Sequence, residues 1–206
     1  MARRSDHTRE ELKEIILENA WKIINKHGQE GLTARNLASQ LGYAPGTIYN
    51  LFASMDELIL TLNSKTMDLL LDHITDESLY SNQNSTAHNL KQMAKSYIAF
   101  SDDFQPYWIM LFSQNLPESR KTLKWYKSKL DQLFVPLENL LEPHFKSNIK
   151  KRQASRILWS SVHGICLLQH SGKLALIDQD GSAENMACQL IDTFVNGLEY
   201  KANRRD

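Results

Sequence analysis

The polar side chains best suited to chemistry lie in a short stretch, residues 45–52, with the sequence Pro-Gly-Thr-Ile-Tyr-Asn-Leu-Phe. Apolar residues recur in this stretch at helical spacing, which predicts a helix with one buried face. The opposite face is small, polar and rich in hydrogen-bond donors. Such a face suits the major groove of DNA, because it has little bulk and its hydroxyl and amide groups can reach phosphates and base edges. The residues of this face are Gly46, Thr47, Tyr49 and Asn50.

Two helices around a glycine turn are needed to position this face. Thr33 can cap the first helix, and Gly42 supplies the left-handed residue that ends it. Pro45 suits the first turn of the second helix, where its missing N–H has no partner to lose. The pattern predicts a helix-turn-helix, although an ordinary helical hairpin with a solvated polar face would have the same spacing.

Capping signals divide the rest of the chain into further helices. Thr8 and Glu11 form a capping box that opens a first helix, and Ser54 with Glu57 opens a long helix after the helix-turn-helix. We therefore expect an all-α protein with a three-helix helix-turn-helix domain over residues 1–53 and a helical domain over residues 54–206. The later helices are predicted over residues 86–101, from Pro117, over 149–171 and over 182–202.

Charge and composition limit the classes of protein that fit. The 206 residues include 24 Lys and Arg and 24 Asp and Glu, so the net charge is zero. Residues 1–52 hold seven basic and six acidic residues, a difference of +1, so DNA binding would not rest on a strongly basic surface. No apolar run approaches the roughly 18 residues that span a bilayer. With two cysteines and no short-spaced pairing, we expect a cytoplasmic protein without a membrane segment or disulfide scaffold.

Aromatic side chains are concentrated in the C-terminal domain. Most aromatic residues at helical spacing belong to a packed core. A cavity lined by part of this set would bind a small apolar or aromatic ligand. The residues predicted to line it are Trp108, Phe112, Trp125, Tyr126, Trp159 and His163.

The last two predicted helices carry more apolar surface than one neighbour can cover. Small residues lie among the apolar ones and allow close helix packing. We expect a two-fold partner to complete a four-helix bundle, which makes the protein a homodimer, with a monomer core as the alternative. The small residues are Ser160, Ser161, Gly164 and Gly197.

His163, Cys166 and His170 share one helical face, because they are three and four residues apart. A soft-metal or redox sensor could use such a set. One helix face seldom supplies a closed tetrahedral site, however, so no metal or other cofactor is expected. Catalysis is not expected either, because the sequence has no nucleophile elbow, phosphate-binding glycine loop or H-E-x-x-H pattern.

The N-terminal pattern closely resembles the DNA-binding domain of TetR family transcriptional regulators. The resemblance covers Gly28 and Gly31, the stretch from Leu32 to Phe52, and Ser54-Met55-Asp56-Glu57-Leu58. The family often has a lysine where this chain has Met55, so one phosphate-binding cation is missing. The set Trp159, His163 and Gly164 is similar to the tryptophan-histidine-glycine motif of one TetR subgroup. The resemblance implies that Thr33 and Arg35, together with Thr47, Tyr49 and Asn50, face DNA.

These observations lead us to expect a ligand-responsive repressor. It would bind a palindromic operator on double-stranded DNA as a homodimer through its last two helices, and a small apolar or aromatic ligand would release it. A helical dimeric interaction module without DNA binding is one alternative, because the low charge and Met55 weaken the attraction to phosphates. A metal or redox sensor using His163, Cys166 and His170 is another.

Overall fold

The computed structural model describes residues 7–76, 80–81, 83–113, 120–179 and 181–203, without the side chains of 120–123 and 201–203. Within these ranges the chain forms ten α-helices, two short 3-10 helices and no strand, which confirms the predicted all-α fold. No helix in these ranges is long and apolar enough to cross a membrane. The helices are α1 (Arg9–His27), α2 (Ala34–Leu41), α3 (Pro45–Leu51), α4 (Met55–Ile74), α5 (Thr86–Asp103), α6 (Gln105–Ser113), α7 (Arg120–Leu141), α8 (Asn148–His170), α9 (Leu174–Ile177) and α10 (Ala183–Asn203).

The helix bounds follow the capping signals. Thr8 Oγ1 accepts the backbone N–H of Glu11 at 3.2 Å, and the Glu11 carboxylate accepts that of Thr8 at 2.7 Å, which confirms the first capping box. At the start of α4, Ser54 Oγ accepts the N–H of Glu57 at 3.1 Å. The Glu57 carboxylate accepts the N–H of Ala53 at 2.6 Å, one residue before the predicted partner.

The helices form two compact units. The first consists of residues 1–67 and 104–126, and the second of residues 68–103 and 127–206. Helices α4 and α7 contribute to both, because each continues across the division without a break. The first unit therefore holds the helix-turn-helix together with α6, and the second holds α5, α8, α9 and α10. Pro117, which was predicted to open α7, lies outside the described residues.

The core of the first unit lies beneath the helix-turn-helix. It joins fully buried side chains of α1, α2, α3 and α4, including Ile16, Leu37, Ile48 and Leu58. Helix α6 packs on α1, where the Tyr107 ring stacks on Trp21 at 4.9 Å and its hydroxyl donates to the Trp21 carbonyl oxygen at 3.2 Å. The shared core holds α2 and α3 in place, since moving either helix would expose the apolar side chains that it buries.

The second unit is built around α5, α8 and α10. Helix α5 packs against both α10 and α8, and α10 also packs against α8. At the edge of this packing, Lys91 pairs with Asp192 at 2.6 Å and Lys95 pairs with Glu184 at 3.6 Å. These ion pairs are partly exposed, so each contributes little to stability. The apolar residues between the helices supply most of it.

Candidate DNA-binding and ligand-binding sites

The geometry of the helix-turn-helix follows from three local signals in the sequence. Thr33 Oγ1 accepts the backbone N–H of Asn36 at 3.1 Å, which confirms Thr33 as the N-cap of α2. Gly42 ends α2 in the left-handed conformation with a φ of 71°. The N–H of Tyr43 then donates to the carbonyl oxygen of Ala38 at 2.9 Å, the bond of a Schellman motif. The chain re-enters a helix at Pro45, as predicted.

Helix α3 buries its apolar face and presents its polar face, as the helical spacing predicts. Ile48 and Phe52 are each 1% exposed, whereas the Tyr49 side chain is 52% exposed. Gly46 and Asn50 are also exposed, and Thr47 is half-buried. A Cβ atom built on Gly46 would meet no other atom within 4 Å, so packing inside the protein does not require glycine there. The surface above Gly46 is therefore open to a bound molecule.

The charge of this surface is sparse and positive. Arg35 is the one charged residue between positions 31 and 55. It lies on the exposed face of α2 and has no ion-pair partner among the described residues. No carboxylate of this segment opposes an approaching phosphate, because the flanking acidic residues are Glu30 and Asp56. Arg35 is thus placed to contact a phosphate or a base edge.

Two further cations, which the sequence reasoning missed, approach α3 from α1. The Arg9 guanidinium Nη2 donates to the carbonyl oxygen of Asn50 at 3.1 Å. The ammonium of Lys13 lies 4.9 Å from the centroid of the Phe52 ring. Both cations lie at the C-terminal end of α3, where the helix dipole is negative. The available signal was the spacing of four between Arg9 and Lys13, which puts them on one face of α1.

A cavity of about 50 Å³ lies in the second unit. Twelve side chains from α4, α5, α7, α8 and α10 line it, and none of them is charged. They include Ile74, Leu90, Tyr97, Phe134, Trp159 and Ile191. The volume is small compared with the hundreds of cubic ångströms that a drug-sized ligand needs, so a ligand would require the walls to move apart.

Two aromatic rings and one histidine contact one another in a row at this cavity. The Phe134 and Trp159 rings meet edge to face at 5.4 Å, and Trp159 stacks on His163 at 4.9 Å with an interplanar angle of 20°. The Tyr97 hydroxyl lies 2.8 Å from His163 Nδ1, within hydrogen-bond distance. Burial lowers the pKa of His163 from 6.5 to about 4. The imidazole is therefore neutral near pH 7.

The structure separates the six residues predicted to line a ligand cavity into two sets. Trp159 lines the cavity of the second unit, and His163 stacks against Trp159. The other four belong to the first unit, where Trp108 is fully buried and Trp125 is 45% exposed. In this set Phe112 meets Trp108 edge to face at 5.4 Å, and Tyr126 is buried. The sequence prediction did not include Tyr97 and Phe134, which also line the cavity. Both are aromatic residues on the apolar face of a predicted helix, and this pattern could have identified them.

The face that carries His163, Cys166 and His170 is occupied by packing contacts. His170 Nε2 lies 3.1 Å from the Ser101 hydroxyl and 3.6 Å from the Asp102 carboxylate. Burial raises the pKa of the Cys166 thiol to about 11, which disfavours the thiolate that a soft metal needs. No group of three or more potential ligands is arranged for a metal ion within the described part of the chain. The geometry therefore favours packing over metal coordination for these three side chains.

A capped helix, a glycine turn and a second helix with an open polar face form a helix-turn-helix, a motif that many DNA-binding proteins contain. Residues 16–62 match the family of bacterial regulatory proteins named for tetR. The match places the N-terminal domain of this chain in that family, and it covers the helix-turn-helix and the first residues of α4.

Individual relatives are consistent with this assignment. The HTH-type transcriptional regulator PksA of Bacillus subtilis is 32% identical over 76 residues, which cover 37% of this chain and 36% of PksA. The match therefore spans little more than a third of that relative. An uncharacterized HTH-type transcriptional regulator of Mycobacterium tuberculosis, Rv0681, is 23% identical over 182 residues, or 86% of this chain and 79% of Rv0681.

The fold of the chain is also found in solved structures. A protein of unknown function from Rhodococcus sp. RHA1 has a similar fold, with a TM-score of 0.72 over 95% of this chain and 98% of its own. Its sequence identity is 16%, so the likeness concerns the fold alone.

Proposed function

We propose that this protein is a homodimeric repressor that binds a palindromic operator and is released by a small apolar or aromatic ligand. The observation that carries the proposal is the open polar face of α3, which lies over the fully buried Ile48 and Phe52. Residues 1–53 would read DNA and residues 54–206 would bind the ligand and the partner subunit. Such a regulator works in the cytoplasm, where its DNA is.

The proposed DNA contacts come from α2 and α3. Arg35 contacts a base edge or a phosphate, since its guanidinium is exposed and has no competing carboxylate in its segment. The Tyr49 hydroxyl contacts a phosphate, and the open backbone at Gly46 allows close approach. Because few cations are involved, the operator affinity should depend only modestly on salt. The remaining proposed contacts are Thr33, Thr47 and Asn50.

Exposed apolar residues on the last two long helices support the homodimer. On α8, Ile157 is 61% exposed and Leu167 is 49% exposed, and Ser160 and Gly164 lie between them at helical spacing. On α10, Tyr200 is 61% exposed. A monomer would leave this surface in water, whereas a two-fold partner would cover it. The dimer would present its two copies of α3 to successive major-groove faces roughly 34–36 Å apart, hence a palindrome.

Helix α4 supports a link between ligand and operator. It begins one residue after Ser54, which follows α3, and it ends at Ile74, which lines the cavity. Its 20 residues span about 30 Å without a break. A ligand that widens the cavity would act on the end of this helix. It would weaken operator binding by its differential affinity for the two conformations, typically about 1–3 kcal/mol.

An electrophoretic titration on a fragment from the gene's own upstream region tests the proposed contacts. We expect Arg35→Ala to weaken operator binding by about 1–3 kcal/mol, the value of a charged base or phosphate contact. Tyr49→Phe should cost about 0.5–1.5 kcal/mol, because only one hydrogen bond is lost. Lys26→Ala is the matched control for a lost exposed cation. Lys26 lies 17 residues after Arg9, or about 26 Å along α1 and away from the end that meets α3.

The same titration distinguishes the proposed repressor from an alternative function. A helical interaction module without DNA binding is favoured by the single charge between positions 31 and 55 and by Met55. Such a module would retard no fragment specifically. Unchanged affinity in both the Arg35→Ala and Tyr49→Phe variants would remove the contact assignment while leaving a DNA-binding protein.

A further inference from the structure

The cavity of the second unit is lined almost entirely by apolar side chains. None of its twelve lining side chains carries a charge, and Tyr97 and Trp159 are the two of them with a hydrogen-bond donor. The remaining lining residues are aliphatic, apart from Met93 and Phe134. A ligand would therefore meet hydrocarbon almost everywhere and a polar group at few positions.

We propose that this cavity selects an uncharged, largely apolar ring compound with one hydrogen-bonding group, which the Tyr97 hydroxyl binds while His163 orients that hydroxyl. The inference rests on the proposed function, because it takes this cavity as the place where the ligand binds. It goes further by naming the chemical class of the ligand and the residue that selects it.

The absence of charge from the lining decides against an ionic ligand. A carboxylate or ammonium buried here would lose its hydration and gain no opposite charge from the lining residues. The Arg156 guanidinium lies 4.0 Å from the centroid of the Phe134 ring, but it is ion-paired with Glu138 and with Asp131. The His163 ring is neutral near pH 7, because burial lowers its pKa to about 4. An anion would therefore find no available cation among the described side chains at the cavity.

The Tyr97 hydroxyl and His163 can adapt to either polarity of ligand group. A tyrosine hydroxyl has one proton to donate and lone pairs to accept, and a neutral imidazole can donate or accept at Nδ1 according to its tautomer. The two atoms are 2.8 Å apart, so the hydroxyl can keep His163 as one partner and take the ligand as another. The stacking of Trp159 on His163 fixes the imidazole plane and hence the direction of this bond.

The volume of the cavity explains why such a ligand would change the protein. A cavity of roughly 150 Å³ lined by Leu, Ile and Phe accommodates benzene, whereas this one measures about 50 Å³. A ring compound must therefore separate the walls, which include Phe134, Trp159 and Ile74. Ile74 is the last residue of α4, so widening the cavity acts on the end of that helix. The ligand binds the wider packing better, which is the condition for shifting an equilibrium.

Isothermal titration of the full-length protein with four single-ring probes tests the inference. The probes are para-cresol, toluene, benzoate and benzylammonium at neutral pH. We expect para-cresol to bind about five- to tenfold more tightly than toluene, the value of one hydrogen bond. Benzoate and benzylammonium should bind roughly a hundredfold more weakly than para-cresol, or not at all.

Two tyrosine variants locate the selecting hydroxyl. Tyr97→Phe should abolish the preference for para-cresol over toluene and leave the affinity for toluene unchanged. The matched control Tyr43→Phe removes a hydroxyl from the turn between α2 and α3, in the first unit, and should bind the probes as the wild type does. If Tyr97→Phe does not fold, the wild-type comparison of neutral and charged probes still decides the ligand class.

Three results would overturn the inference. These are binding of benzoate or benzylammonium as tight as that of para-cresol, a full preference for para-cresol in Tyr97→Phe, and no binding of either neutral probe up to its solubility limit. A parallel measurement of operator affinity by fluorescence anisotropy separates the two proposals. Tyr97-dependent binding of para-cresol without operator release would refute the ligand-released repressor but leave the cavity inference intact. Operator release by charged effectors alone would refute the cavity inference but leave a ligand-released repressor.

Discussion

The buried position of His163 predicts a specific loss of stability in mild acid. Burial lowers the pKa of this imidazole from 6.5 in the unfolded chain to about 4 in the folded protein. Between these values the unfolded chain binds a proton that the folded protein does not bind. The free energy of unfolding therefore decreases as the pH falls from about 6.5 towards about 4, and it is unaffected by His163 above that range.

The size of this loss follows from the separation of the two pKa values. One pKa unit corresponds to about 1.36 kcal/mol, so the full separation is worth about 3 kcal/mol. At about pH 5 the loss would reach about 2 kcal/mol of that total. The His163 side chain is only partly buried, and solvent screening should reduce the measured value to about 1–2 kcal/mol.

Urea denaturation at about pH 7.5 and about pH 5 measures this loss as a difference between two proteins. The reference is His163→Gln, which does not titrate and can still accept a hydrogen bond from Tyr97. Both proteins are compared at one protein concentration, because the stability of the proposed homodimer would depend on concentration. The wild type should lose about 1–2 kcal/mol more than His163→Gln on acidification. Equal losses in the two proteins would refute the burial of a neutral imidazole beside Tyr97.

Three further predictions concern single side chains. Thr33→Ala removes the N-cap of α2 and should lower the free energy of unfolding by about 0.5–2 kcal/mol, measured by thermal denaturation. Ile48→Ala opens a cavity under α3 and should cost about 2–5 kcal/mol, against about 0.5–1.5 kcal/mol for Ile48→Val, with operator affinity falling in the same order. The Cys166 thiol, fully buried with its pKa raised to about 11, should react with iodoacetamide far more slowly than Cys188, as the Cys166→Ser and Cys188→Ser variants would reveal.

The fold was largely predictable because its signals are local. The capping box at Thr8, the left-handed Gly42 and the proline at the start of α3 each act within a few residues of themselves. Their effect can therefore be predicted without knowledge of the rest of the chain. The two faces of α3 follow in the same way, because helical spacing alone places Ile48 inside and Tyr49 outside.

The cavity of the second unit was harder to predict because it depends on contacts between distant segments. Trp108 and Trp125 are the same residue type in one aromatic-rich region, yet one is fully buried and the other is 45% exposed. Tyr97 meets His163 across 66 residues of chain, and Arg9 meets Asn50 across 41. Helical periodicity shows which face a residue occupies but not which helix that face meets. The sequence pattern therefore does not identify which helices pack against each other around the cavity.

Protection of upstream DNA from nuclease cleavage is the most direct test of the central claim, a two-fold reader that uses α2 and α3. The claim predicts two protected half-sites related by a palindrome and about 10–10.5 base pairs apart, centre to centre. The same sites should be unprotected at equal concentration of an Arg35→Ala, Tyr49→Phe double variant whose melting curve matches the wild type. A single asymmetric site, or equal protection by the double variant, would contradict the claim.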